Sequence, residues 1–159
     1  DSLLQVDLAF NHGLRWLLNT ERNQLLLKML ARSERINILM PEYRIAETFT
    51  SHVRKSDTYY VSSFVSPQKF WEDFVEKNPE KASLRISPLP ILRQYIAFEF
   101  KNQDNSSLYV GFYAYGGNDL DKSHFLIINR EDAFYEMYRN EYHYLWNISS
   151  TANHSTKII

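Results

Sequence analysis

Two tyrosines, a diglycine and an amide stand together in Tyr113-Ala114-Tyr115-Gly116-Gly117-Asn118, and His124 follows a short way on. On a strand Tyr113 and Tyr115 share one face, and the glycines let backbone approach a ligand closely. Such a group suits the wall of a small-molecule pocket. It also suits an ordinary strand and loop, and a tyrosine face packs equally well under a helix. A second group is Asn11-His12-Gly13, with Arg15 and Trp16 after it. If a strand precedes this turn and a helix follows it, His12 and Arg15 stand where helix amides attract anions and could touch a phosphate. The plainer alternative, with Asn11 as a helix cap and His12 on the surface, weighs more, since one His and one Arg are weak support. A third is Arg93, placed by the stiff Ser87-Pro88-Leu89-Pro90 that precedes it. A guanidinium there could clamp a phosphate or a carboxylate, or simply be solvated at a strand start.

Other chemistry fails on spacing. The chain has no G-x-S-x-G, H-E-x-x-H or G-x-x-x-x-G-K-[ST] pattern. His12, His52, His124, His143 and His154 are scattered without paired metal-ligand spacing, so no histidine metal site is expected. Nothing calls for a cofactor. Glu42, Glu47, Glu72, Asp73, Glu76, Glu131 and Asp132 read as helix-surface charges, and Arg54-Lys55 is too short a basic run for nucleic acid.

These residues need a frame to hold them. Leu3 to Phe10 alternates as a strand, with Val6, Leu8 and Phe10 on one side and Asp7 and Ala9 on the other. Leu14 to Arg32 carries leucines near a 3.6-residue period, and Ile36 to Met40 is a short apolar run ending at Pro41. Strand, helix, strand is the crossover unit of a parallel sheet. Tyr43 to Lys55 reads as a surface helix, and Tyr59 to Val65 as a short strand or extended lead-in. Ser66-Pro67 has the form of a helix start, with Ser as cap and Pro in the first turn, and Asn78-Pro79 ends that helix. Leu84–Ile86, Tyr95–Phe100, Leu108–Tyr115 and Phe125–Ile128 are strand candidates, the middle two joined by a polar turn over Asn102 to Ser107. Asn129 is the expected cap of a last helix, with Asp132 favouring its positive end. Phe134, Tyr138, Tyr142 and Leu145 would line that helix's inner side.

At 159 residues, 44% hydrophobic and 15% aromatic, the chain suits one domain with one core. We expect a single α/β domain over residues 1–148 and a frayed polar tail over 149–159. The net charge of −1 gives no global pull toward nucleic acid or anionic lipid. With no cysteine there is no disulfide, thiolate zinc site or thiol nucleophile, a composition compatible with a cytoplasmic setting. No apolar run approaches the roughly 18 residues of a membrane span. A chain starting at Asp1 rather than Met reads as a fragment or processed product, so a partner domain or anchor upstream belongs to the expectation.

The order of segments resembles one family. Residues Leu25 to Met40, LLLKMLARSERINILM, look like the helix and strand of phospholipase D-like domains. His124 to Ser149, HFLIINREDAFYEMYRNEYHYLWNIS, is similar to their closing strand and helix, with Tyr142, Leu145 and Trp146 in place of an aromatic-rich ending. The resemblance implies a mixed central sheet of five to seven strands with helices on both faces. It also implies where catalysis would sit: an H-x-K motif with an Asp five residues beyond, whose His attacks phosphorus while the Lys steadies the phosphate charge. This chain has no H-x-K. The nearest match, His52-Val53-Arg54, has Asp57 only three residues beyond, and Arg93-Gln94-Tyr95 stands where the family carries its His.

The expected function is therefore that of a degenerate member: a non-catalytic sensor or regulatory domain for a phosphorylated or otherwise anionic small ligand. The contacts would come from His12, Arg15, Arg93, Tyr113, Tyr115, Asn118 and His124. It would work within a larger protein or as a homodimer joined through the sheet edge or an aromatic surface. Two alternatives stay open: a phosphodiesterase or nuclease using His12 or His124, and a pure protein-interaction module.

Overall fold

The computed structural model describes residues 2–11, 20–53, 58–112 and 125–151. The chain is an α/β domain built on one seven-stranded mixed sheet. Strand β1 (Leu3–Ala9) leads to helix α1 (Thr20–Arg32), β2 (Arg35–Pro41), α2 (Tyr43–Val53), α3 (Thr58–Lys77) and β3 (Ala82–Ser87). Then come β4 (Arg93–Phe100), β5 (Ser107–Phe112), β6 (Phe125–Asn129), α4 (Tyr135–Ile148) and the two-residue β7 (Ser150–Thr151). Across the sheet the order is β6-β5-β4-β1-β2-β3-β7. Strands β1, β2 and β3 pair in parallel, and every other pairing is antiparallel.

Alternation along the strands sends the side chains to two different faces. On one, Val6, Leu8, Phe10, Ile36, Ile38, Met40, Leu84, Ile96 and Phe98 meet α1, α2 and α3 through Leu26, Leu30, Ala46 and Trp71. On the other, Ala9, Leu39, Tyr95, Ala97, Leu108, Val110 and Ile128 pack under α4 through Tyr135, Tyr138, Tyr142 and Leu145. Helices thus cover both faces. The 3.6-residue period of α1 ends at Ser33, whose hydroxyl donates to the Leu30 carbonyl at 2.8 Å. The Lys81 ammonium donates to the carbonyls of Leu30 and Ala31 at 3.1 and 3.2 Å, a cation on the negative end of that helix.

Several local expectations need correction. The stretch Tyr59 to Val65 is helix rather than strand, and Ser66-Pro67 lies inside α3 rather than at its start. The reason is visible in the spacing. Tyr60, Phe64, Pro67, Trp71 and Phe74 recur at intervals of four and three, one continuous helical stripe. In it Trp71 is fully buried and ringed by Phe10, Phe70 and Phe74 with centroids 5.8, 5.1 and 5.5 Å away. Pro67 has no N–H for the carbonyl four residues back, and the helix nonetheless runs on through it to Lys77. Asn78 does end the helix, its side-chain amide donating to the Phe74 carbonyl at 2.8 Å.

Asn129 is the last residue of β6, opposite Ser107, and not a helix cap. The turn after it bonds Asp132 N–H to the Asn129 carbonyl at 3.0 Å and Tyr135 N–H to the Asp132 carbonyl at 2.9 Å, so α4 begins five residues later than expected. Glu131 and Asp132 lie in that turn, off the helix. Starting there turns Phe134 outward and buries Tyr135 in its place. Residues 149–151 are not a frayed tail, so the domain runs past 148. The buried Ser149 donates its hydroxyl to the Leu145 carbonyl at 2.5 Å, and Ser150 and Thr151 pair with Ile86 and Arg85. The Arg85 guanidinium donates to the Trp146 carbonyl at 2.8 Å and stacks over its indole at 4.7 Å, tying helix end to strand. Residues 14–19, 54–55, 113–115 and 152–159, which complete the expected elements, lie outside the described residues.

Among the described residues no helix is long and apolar enough to cross a membrane.

Candidate functional site at one edge of the sheet

The register decides which strand ends meet. Ala9 stands opposite Tyr95, Arg93 opposite Phe112, and Gly111 opposite Phe125. Pro41 stands opposite Ser87. The carboxyl ends of β1, β2, β3 and β5 therefore share one edge with the starts of β4 and β6. Ligands of open α/β sheets bind outside the carboxyl ends of strands. The chain leaves this edge into residues 12–19 after β1, and into residues 113–124 between β5 and β6. Of the residues singled out in the sequence, His12, Arg15, Tyr113, Tyr115, Asn118 and His124 lie outside the described residues. Arg93 lies within them.

Asn11 organises the edge. Its side chain is fully buried; its amide donates to the Ile91 carbonyl, and its Oδ1 accepts the Ile91 N–H at 3.0 Å. This reciprocal pair locks the exit of β1 to the proline-rich approach to β4. Ser87 stiffens the same approach, its hydroxyl bonding the carbonyl and N–H of Leu89 at 2.9 and 3.1 Å. Asn11 thus bridges the end of β1 and the approach to β4, while the residues it was expected to cap, 12–19, lie outside the described residues.

Arg93 follows at once. Its guanidinium donates to both carboxylate oxygens of Glu141 on α4, at 2.7 and 2.9 Å. It lies over the rings of Tyr138 at 5.7 Å and Phe112 at 6.0 Å. Partial burial works against its charge, but the Tyr95 hydroxyl and Glu141 outweigh that and hold the pKa above its ordinary value. The buried Tyr95 hydroxyl lies beside Glu141 and Arg93 in hydrogen-bonding geometry with neither. Burial, reinforced by Glu141, pushes its pKa well up. Among the described residues the edge thus offers a fixed cation, Arg93, with an aromatic wall, held by an internal carboxylate. An arriving anion would exchange with Glu141 rather than meet a bare charge.

Behind the edge lies a polar network that the sequence reading passed over. Asp7 on β1, fully buried, accepts from Gln5 at 2.9 Å, Asn37 at 2.8 Å and Arg139 of α4 at 2.8 Å. Arg139 reaches Glu99 of β4 at 3.2 Å, and Glu99 accepts the Tyr135 hydroxyl at 2.7 Å with Arg130 at 3.5 Å beyond. Ser83 continues the chain by donating to Asn37 at 3.0 Å. Burial disfavours the Arg139 charge, but Asp7 and Glu99 more than restore it, leaving the pKa raised. Burial likewise raises Tyr135 and Tyr142, helped by Glu99 and by Asp7 respectively. Asp7 takes donors on both oxygens and Glu99 takes Tyr135 and Arg139 on Oε1, an arrangement that suits the two carboxylates to seat α4. Two signals in the sequence point this way: a charge between Val6 and Leu8, and an arginine inside the aromatic stripe Tyr135, Tyr138, Tyr142. Among the described residues no group of three His, Asp or Glu could hold a metal ion.

No family model, curated protein or solved structure matches this chain.

Proposed function

We propose that this domain is a non-catalytic binding module for a phosphorylated or otherwise anionic small ligand, held at the edge where β1 and β5 end and β4 begins. The observation that carries the reading is the placement of Arg93. It stands between two strand ends that lead into the segments bearing His12 and Arg15 on one side, and Tyr113, Tyr115, Asn118 and His124 on the other. A prepositioned guanidinium against aromatic rings is suited to a phosphate or carboxylate. The likeness in layout to phospholipase D-like domains supports a phosphate-sized site, and the lack of an H-x-K motif supports binding without turnover. A cysteine-free chain has no need of an oxidising compartment, so a cytoplasmic setting is part of the proposal.

Pyrophosphate is a suitable probe, titrated by calorimetry and by amide chemical shifts. Arg93→Ala should abolish binding. Glu141→Gln, which frees the guanidinium, should tighten it by roughly threefold to tenfold, the effect of about 1 kcal/mol of competition removed. Unchanged affinity in both variants would sink the reading. Hydrolysis of bis(p-nitrophenyl) phosphate that disappears in His12→Ala or His124→Ala would replace it with the enzymatic one.

A further inference from the structure

The two margins of the sheet differ. At one, β7 is two polar residues long. At the other, β6 runs for five residues, Phe-Leu-Ile-Ile-Asn, without a charge or a proline. Among the described residues only β5 pairs with it, along one side. Natural sheets guard such a margin with Lys, Pro or a bulge, because its free N–H and C=O groups are a template for another strand.

The side chains around it are also turned outward. Phe125 and Ile127 emerge on one face of the sheet and Leu126 on the other, beside Phe112. The Phe125 ring covers Gly111, where an added Cβ would come within 2.7 Å of it. Phe134, just before α4, and Met137, on it, stand seven and four residues ahead of Glu141, the residue that holds Arg93 against Phe112. These six apolar side chains are each between 38% and 62% exposed. At about 200 Å² for a large side chain they present roughly 600 Å² per copy. With the strand backbone added, this approaches the roughly 800 Å² per partner of a standard stable interface.

We propose that β6 is a homodimer interface, at which two copies pair this strand antiparallel about a two-fold axis at Ile127. The strand complements itself. Centred on its middle residue, the register sets Phe125 against Asn129, Leu126 against Ile128 and Ile127 against Ile127 of the partner subunit. All five residues pair, and apolar side chains meet on both faces. A net charge of −1 leaves little repulsion between copies. The proposal is independent of any ligand at the Arg93 edge.

Sedimentation velocity from about 1 to about 100 µM tests it over a range that interfaces of this size reach. The unaltered chain should dimerise. Ile127→Lys, which sets like charges face to face, should raise the dimer dissociation constant at least about tenfold with an unchanged circular dichroism spectrum. Should that variant misfold, single-cysteine variants decide. The chain has no cysteine, and paired residues lie about 4.5–5.5 Å apart between Cα atoms, a span that a disulfide bridges. Ile127→Cys should form a covalent dimer on mild oxidation, and Leu89→Cys, on the exposed β3–β4 turn, should not. A monomer throughout, with residues 113–124 or 152–159 of the same chain laid along β6, overturns the proposal. So does a dimer in which Ile127→Lys changes nothing and Ile127→Cys does not cross-link.

Discussion

The two faces of the sheet are built on different principles. Under α1, α2 and α3 the described core cluster is built of apolar and aromatic side chains, from Val6 and Leu8 to Ile38 and Trp71. Under α4 the aromatic packing of Tyr135, Tyr138 and Tyr142 surrounds a buried ion-pair network of Asp7, Arg139 and Glu99. An apolar face rewards any snug arrangement of about the right volume. A network with fixed partners rewards only one seat, because a helix shifted by a residue would leave a carboxylate buried without its cation. The difference matters to the candidate site: the same helix carries Glu141, so the seat of α4 sets where Arg93 is held.

The largest expected effect breaks the polar face. Arg139→Ala should cost about 3–5 kcal/mol in urea denaturation, since it strands Asp7 without its cation. The double variant Asp7→Ala/Arg139→Ala should cost less than the two single losses together, by about 0.5–3 kcal/mol. Strict additivity would mean that the network does not act as a unit.

Leu30→Ala, on the opposite face, should cost about 2–5 kcal/mol through the cavity it leaves. Combined with Asp7→Ala it should be additive within about 0.5 kcal/mol, as for sites without shared partners. Strong coupling between them would show that the faces are not independent.

The mildest test is alkaline titration. Burial first, and then Glu141, Glu99 and Asp7 in turn, raise Tyr95, Tyr135 and Tyr142 above the tyrosine value of 10.0. The unfolded chain releases these protons near pH 10 while the folded chain keeps them. Their contribution is whole below that pH and is lost as pH rises toward the folded values. Unfolding and tyrosinate absorbance should therefore advance together above pH 10. Tyr142→Phe should make the decline shallower, and an unchanged slope would place the loss elsewhere.

Much of the frame was legible in local pattern. Alternation at Val6, Leu8 and Phe10, and at Leu108 and Val110, named strands whose faces the register bears out. The leucine period over Leu14 to Arg32 marked a helix, of which Thr20–Arg32 lies within the described residues. Where local signals competed, the longer one won: Ser66-Pro67 has the chemistry of a start, but the stripe through Trp71 runs past it. Of the candidate site, Arg93 was found from the proline-rich approach before it, whereas its partner Glu141 was not. Nothing in a sequence links positions 48 apart until a register brings them together.

Composition and spacing by themselves determined the class of fold, the absence of thiol chemistry and which residues sit on each strand face, because all of these depend on side-chain type and near neighbours. Tertiary structure alone decided the strand order, the bridge from Asn11 to Ile91, the partner of Arg93 and the burial of Asp7. Each of these comes from strand pairing or packing between distant parts of the chain, where the free energy lies in contacts that no local pattern encodes.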